Sequence, residues 1–164
     1  MNVSTSIDTR GWISRLAVVL TVAVALSGGH AAPRAQQEAS AKPAVTVYKS
    51  PTCGCCSKWV DHMRANGFAV KTVDVEDASA VKRTHGVPPR VGSCHTALVD
   101  GYVVEGHVPA DAVARLLRER PDVAGLAVPG MPIGSPGMEV GDRRDPYSIM
   151  SFDKTGRYVV YERR

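Results

Sequence analysis

The chain has 164 residues, a length that suits one domain with a core large enough to fold without disulfide staples. Its formal net charge is +4, and the basic residues are scattered along the sequence instead of forming a long run. Nucleic-acid binding needs a concentrated basic patch, so this charge pattern argues against a nucleic-acid partner.

The N-terminal segment has the pattern of a secretory signal peptide over residues 1–31. Arg10 and Arg15 precede an apolar run at 16–26, and small residues follow it. The alternative is an uncleaved membrane anchor, but the run is well short of the roughly 20 apolar residues that span a bilayer. We therefore expect an exported mature protein that begins near Ala32 and has no membrane contact after cleavage.

Residues 32–43 are rich in Ala, Pro, Gln and Lys without an apolar period, which predicts a flexible linker. The segment 44–120 then predicts an α/β domain of the order βαβα followed by ββα, which is the order of the thioredoxin fold. Its Asp100-Gly101 dipeptide favours a type I′ turn between two strands. The predicted elements are strands at 45–48, 68–75, 96–99 and 102–105, and helices at 54–66, 78–84 and 110–120.

The remaining sequence predicts less regular structure. Residues 121–146 are rich in Gly and Pro and contain the near-repeat 129–131 and 136–138, each Pro-Gly-Met, so a loop is expected there. Residues 147–164 predict a terminal β-hairpin with its turn at 153–156.

The cluster Cys53-Gly54-Cys55-Cys56 lies where the first strand passes into the first helix. A helix N-terminus stabilises thiolates, which are both nucleophiles in disulfide exchange and ligands for soft metals. Cys53 and Cys56 have the spacing of a redox dithiol, whereas Cys55 offers a competing thiol to an exchange reaction and an additional ligand to a metal. Two structural disulfides are the third alternative, although the neighbours Cys55 and Cys56 cannot pair without strain.

A second group of candidate ligands lies about forty residues further along the chain. Cys94-His95 precedes the predicted hairpin, and in a thioredoxin-like fold this segment packs against the helix N-terminus that carries the first cysteines. We therefore expect Cys94 and His95 to join the cluster. The alternatives are that Cys94 is a buried apolar residue of the core and that His95 is a partly exposed histidine at the edge of a strand. His107 is a ligand or a loop-fixing donor, and Met131 and Met138 are copper ligands or apolar plugs of a surface. His62 is a candidate only for a residue that supports the ligands without contacting the metal.

Five blocks of sequence resemble the CopG-like periplasmic metal-binding proteins, a family linked to copper resistance in Gram-negative bacteria and long classed as a domain of unknown function. The blocks are 48–56, 86–88, 93–97, 105–109 and the Pro-Gly-Met segments at 129–138. The resemblance implies a thioredoxin-like fold, a periplasmic location and copper handling by cysteine ligands, and it raises interconversion of the two copper oxidation states as a further activity.

Together these observations predict a periplasmic copper-binding protein of copper homeostasis or resistance. Copper(I) is the expected metal and zinc the less favoured one, because thiolates and thioethers suit the softer ion. Other periplasmic copper-handling proteins are the expected partners. The alternative is an exported thiol-disulfide oxidoreductase that uses Cys53 as nucleophile and Cys56 as resolving thiol. The predicted ligands are Cys53, Cys55, Cys56, Cys94 and His95, followed by His107, Met131 and Met138.

Overall fold

The structure is a computed structural model that describes residues 42–164. The predicted signal peptide and nearly all of the predicted linker lie outside these residues. Within the described part of the chain, no helix is long and apolar enough to cross a membrane.

The described residues form a mixed α/β structure of seven strands and three α-helices, with a short 3-10 turn at Pro89–Val91. In chain order the elements are β1 (Val45–Lys49), α1 (Gly54–Ala65), β2 (Val70–Asp74), α2 (Ala78–Thr84), β3 (Thr96–Val99), β4 (Tyr102–Glu105), α3 (Ala110–Glu119), β5 (Gly125–Ala127), β6 (Ser148–Phe152) and β7 (Tyr158–Arg163). Every helix predicted from the sequence is present, and the bounds differ by one residue at most.

All seven strands belong to one sheet in the order β2-β1-β3-β4-β5-β6-β7. Strand β1 pairs parallel with β2 and antiparallel with β3, and β3 pairs antiparallel with β4. The β3–β4 turn places Asp100 and Gly101 at positive φ values of 47° and 86°, as a type I′ turn requires. The predicted turn at Asp100-Gly101 is therefore present in the structure.

Alternation along the strands divides the apolar residues between the two faces of the sheet. On one face β1 and β3 pack against α1 and α3, and Trp59, Met63 and Leu116 are wholly buried there. On the other face Val87 and Val91, which follow α2, pack with β-strand residues that include Phe152. The sheet is therefore covered on both sides, and α1 is fixed against it by the face that also carries Cys56.

The prediction of a loop throughout residues 121–146 is wrong at Gly125–Ala127, which form β5. This strand pairs parallel with β4 and antiparallel with β6, so the terminal hairpin continues the main sheet. A side chain at Gly125 would collide with the backbone of Val103. The glycine that suggested a loop in the sequence is what allows β5 to approach β4.

Candidate metal centre

The first cysteines are held by the N-terminal turn of α1. Cys53 is the N-cap, and its Sγ accepts a hydrogen bond from the backbone N–H of Cys56 at 3.3 Å. Cys53 and Cys56 are joined by a disulfide, the one local pair that the sequence allows. Cys55 is a free thiol, with its Sγ 3.4 Å from that of Cys53. A disulfide and an additional free thiol therefore share one helix N-terminus.

Cys94 reaches the same place from the sheet. Strand β3 lies beside β1, and Thr96 at its start is in register with Tyr48 near the end of β1. The loop before β3 consequently meets the loop before α1. The Sγ atoms of Cys53, Cys55, Cys56 and Cys94 all lie within 4.8 Å of one another. The predicted convergence of Cys94 with the first cluster is confirmed.

Two buried imidazoles lie on the inner side of Cys94. Its Sγ is 2.9 Å from Nε2 of His107 and 3.2 Å from Nδ1 of His95. Nδ1 of His107 lies 2.8 Å from the carbonyl of Pro136, which can only accept, so the ring carries its proton on Nδ1. The lone pair of Nε2 therefore faces Cys94, as a metal ligand requires.

His95 is wholly buried between Trp59 and His107, with ring centroids 4.5 Å and 5.1 Å away. Its Nε2 has no hydrogen-bond partner within residues 42–164. Such an unsatisfied buried nitrogen is uncommon and needs a physical reason. Since His95, His107 and Cys94 each offer a ligand atom within 4.8 Å of the others, the donor set fits a metal ion.

The protonation of this site follows from its burial. Burial raises the pKa of the Cys94 thiol to about 12, and the nearby Cys55 sulfur acts in the same direction. Burial also lowers the pKa of His95 well below its ordinary value. It lowers the pKa of His107, although the hydrogen bond to the Pro136 carbonyl opposes that shift. Before a metal binds, Cys94 is therefore a thiol that donates to a neutral His107, and a metal must displace this proton.

The two Pro-Gly-Met segments hold the site from two sides. In the first, the backbone N–H of Gly130 donates to the carbonyl of Gly92 at 3.2 Å, and Ser93 donates to the Gly130 carbonyl. The second packs against α1, where an added Cβ at Gly137 would lie 2.7 Å from the carbonyl oxygen of Cys55. Met131 is 52% exposed and Met138 is partly buried. Their roles as ligands stay predictions.

Glu105 was not among the predicted site residues. Its carboxylate is wholly buried at the end of β4 and is contacted by Lys82, Thr96 and the backbone N–H of Ser93. The available signal was a carboxylate at the end of an apolar strand, two residues before His107. His62 accepts a hydrogen bond at Nε2 from the backbone N–H of Ala110 at the start of α3, and its place in the surroundings of the site stays a prediction.

Comparison with known proteins identifies chains and a family model that are similar to this chain. A family model described as "Protein of unknown function, DUF411" matches residues 91–138. Two solved structures of a copper resistance protein, copG in its form 2 and form 1, are each 49% identical to the chain over 75% of its length and 98% of theirs, with TM-scores of 0.72 and 0.71. The chain belongs to the CopG-like family of copper resistance proteins. None of the functionally curated proteins matches it.

In this CopG-like protein the cysteine cluster has an open side and a closed side. Cys53, Cys55 and Cys94 are partly exposed, whereas Cys56, His95 and His107 are buried. Metals and small oxidants can therefore reach three of the sulfurs from solvent.

Proposed function

We propose that the protein is a periplasmic copper-binding protein that binds copper(I) in copper homeostasis or resistance, with Cys53, Cys55, Cys56 and Cys94 as its thiolate ligands. The observation that carries this proposal is the meeting of four sulfurs within 4.8 Å. Two sulfurs on one metal, at metal–sulfur bonds of about 2.3 Å, are at most about 4.6 Å apart. The four sulfurs lie close to that range, and metal binding through Cys53 and Cys56 requires that their disulfide first be reduced.

The surroundings of the cluster support copper(I) over zinc. Copper is the cargo here, and thiolate ligands favour a soft ion. His95 and His107 reach Cys94 on its inner side, and the neutral imidazole of His107 presents Nε2 to the cluster. The order β2-β1-β3-β4 of the first four strands supports a thioredoxin-like arrangement, in which this helix N-terminus is the reactive position. The name of the related structures, copper resistance protein, supports the same metal.

The proposal includes export and partners. The signal-peptide pattern at residues 1–31 and the family resemblance support a periplasmic location. The partly exposed sulfurs support transfer of copper to or from other periplasmic copper-handling proteins, because ligand exchange between two proteins needs an accessible ligand. The basic residues are scattered along the sequence, which argues against a nucleic-acid partner.

Anaerobic titration of the reduced mature protein with copper(I) tests the ligand set. We expect Cys55→Ser to lower the copper(I) affinity or stoichiometry, because it removes one of the four sulfurs. Ala65→Ser, at an exposed position of the same helix, is the matched control and should bind as the unaltered protein does. Unchanged copper binding by Cys55→Ser would refute the four-sulfur site.

Competition with a chelator tests the choice of metal. Reduced protein should bind copper(I) much more tightly than zinc, since the donors are soft. Equal affinity for the two ions would count against copper as the physiological metal.

A second function is favoured by the disulfide itself. Cys53 and Cys56 are joined at a helix N-terminus, and Cys53 is partly exposed, as the nucleophile of a thiol-disulfide oxidoreductase needs to be. A disulfide-reductase assay separates the two functions. If Cys53→Ser abolishes that activity while Cys55→Ser alters the activity and leaves copper binding intact, the oxidoreductase is the better description.

A further inference from the structure

The end of β4 carries a buried carboxylate with three partners. Oε1 of Glu105 accepts from the backbone N–H of Ser93 at 2.6 Å and lies 2.9 Å from Nζ of Lys82. Oε2 accepts from the hydroxyl of Thr96 at 2.7 Å. The side chain of Glu105 has no solvent exposure and that of Lys82 is 16% exposed. We call these four residues the Glu105 clamp.

The partners of Glu105 flank the ligand pair in the sequence. Ser93 precedes Cys94, and Thr96 follows His95, so one carboxylate holds both ends of this four-residue stretch. The residue after β4 adds a contact, because the backbone N–H of Gly106 donates to the His95 carbonyl at 2.9 Å. His107 follows directly. The clamp and this contact therefore join both ends of the stretch that contains Cys94 and His95 to the end of β4.

We propose that Glu105 is the positioning residue of the metal centre, and that its carboxylate holds Cys94 and His95 in the geometry that receives copper. This inference rests on the proposed copper function. The Glu105 carboxylate makes no hydrogen bond to the side chains of Cys94, His95 or His107 and acts through the backbone of Ser93 and the hydroxyl of Thr96.

Burial of the carboxylate is difficult to explain by stability alone. Taking an ion pair out of water costs energy that the pairing often fails to offset, and apolar residues of similar size are frequently as stable or more so. An apolar side chain at this position could not accept from the Ser93 N–H, which then would be left without its partner. Lys82 on α2 neutralises the carboxylate and also donates to Thr96 at 3.2 Å, so the charge is retained inside a complete hydrogen-bond network.

The test compares three variants of the full mature protein, reduced and metal-free. Glu105→Met removes both acceptor oxygens, Thr96→Val removes only the hydroxyl, and Glu105→Gln keeps an acceptor for Ser93. Copper(I) affinity is measured by chelator competition, and the accessibility of Cys94 by its alkylation rate, followed by mass spectrometry. We expect Glu105→Met to lower the affinity on the order of 10-fold, as loss of supporting contacts around metal ligands commonly does. Its Cys94 should be alkylated severalfold faster.

The conservative variant and a core control separate positioning from general stability. Glu105→Gln should restore most of the affinity, and Thr96→Val should give an intermediate loss even if Glu105→Met does not fold. Ile149→Val removes a buried methylene on β6 and should lower the melting temperature without changing copper affinity or Cys94 alkylation.

Two outcomes would overturn the inference. The first is that Glu105→Met and Thr96→Val leave copper affinity and Cys94 alkylation unchanged. The second is that Ile149→Val, at an equal loss of stability, changes copper affinity and Cys94 alkylation as much as Glu105→Met does. If Cys55→Ser binds copper normally, the proposed function fails instead. The alkylation measurement needs no metal, so it still decides whether Glu105 positions Cys94.

Discussion

Gly137 and Gly130 form a matched pair for testing how the Pro-Gly-Met segments support the site. Both have positive φ, at 88° and 67°. An added Cβ at Gly130 meets nothing within 4 Å, whereas at Gly137 it would lie 2.7 Å from the carbonyl oxygen of Cys55 and 2.9 Å from the backbone nitrogen of Trp59. Substitution by alanine therefore imposes backbone strain at both positions and a collision with α1 at Gly137 alone.

The two costs can be estimated separately. An alanine in the left-handed region costs about 1–2 kcal/mol, which is the whole cost at Gly130. Forcing a methyl group into a packed contact adds about 1–3 kcal/mol at Gly137. The expected loss is thus roughly 2–5 kcal/mol for Gly137→Ala, a substantial part of a typical stability of about 5–15 kcal/mol. Each kcal/mol corresponds to a decrease in melting temperature of roughly 3–6 °C at this domain size.

Thermal and denaturant unfolding of the two variants measures the difference. Copper(I) affinity provides a second reading, because Pro136 beside Gly137 accepts the hydrogen bond that orients His107. We expect Gly137→Ala to lose about 10-fold in affinity and Gly130→Ala to lose little. Equal losses of stability in the two variants would refute the close packing of this segment on α1.

Three further predictions concern side chains that make hydrogen bonds to other parts of the chain. Burial lowers the pKa of His62 from its ordinary 6.5, so the folded protein should lose stability as the pH falls below about 6.5. The glutamine in His62→Gln accepts from the Ala110 N–H at every pH, so this variant should lose less stability in unfolding titrations over the same pH range. Identical pH profiles of the two proteins would contradict this. Hydrogen bonds from Thr155, and then from Arg157, lower the pKa of Asp153 from 3.8 to about 2. The contribution of the Asp153 carboxylate to stability should be complete above pH 3.8 and be lost as the pH falls towards 2. Asp153→Asn should therefore flatten the dependence of unfolding free energy on pH in that interval. An unchanged slope would count against this assignment. Trp59→Phe leaves the buried carbonyl of Val108 without its 2.9 Å donor and should cost about 1–3 kcal/mol in denaturant unfolding, a value near zero being the contrary result.

Local signals were sufficient for most of the fold. Asp100-Gly101 has one favourable turn type, and Gly67 and Gly86 take the positive φ that ends a helix, so the hairpin and two helix ends could be predicted. Strand β5 could not, because three residues between prolines show no alternation, and their strand conformation depends on pairing with β4 and β6. The thioredoxin-like arrangement remains a proposal supported by strand order.

The site was predictable where one element carries several donors and less so where the fold assembles them. Cys53, Cys55 and Cys56 share one helix turn, and the strand order expected of the fold was enough to bring Cys94 to them. The pairing of His107 with Cys94 depends on the path of the chain after β4, which spacing does not determine. Glu105 was missed because hydropathy predicts an exposed carboxylate, and only the three-dimensional structure shows the partners that make its burial possible.

The components of the candidate metal centre are far apart in the order of synthesis. Cys53 precedes Cys94 by about forty residues and the Pro136–Gly137 segment by about eighty, and contacts of such separation form late because the intervening loop must close first. While the chain is made from its N-terminus, three cysteines are present well before the residues that enclose them. The nascent protein thus passes through a stage in which its thiols are open to oxidants and metals, and the order in which disulfide formation, metal capture and enclosure occur becomes a kinetic competition.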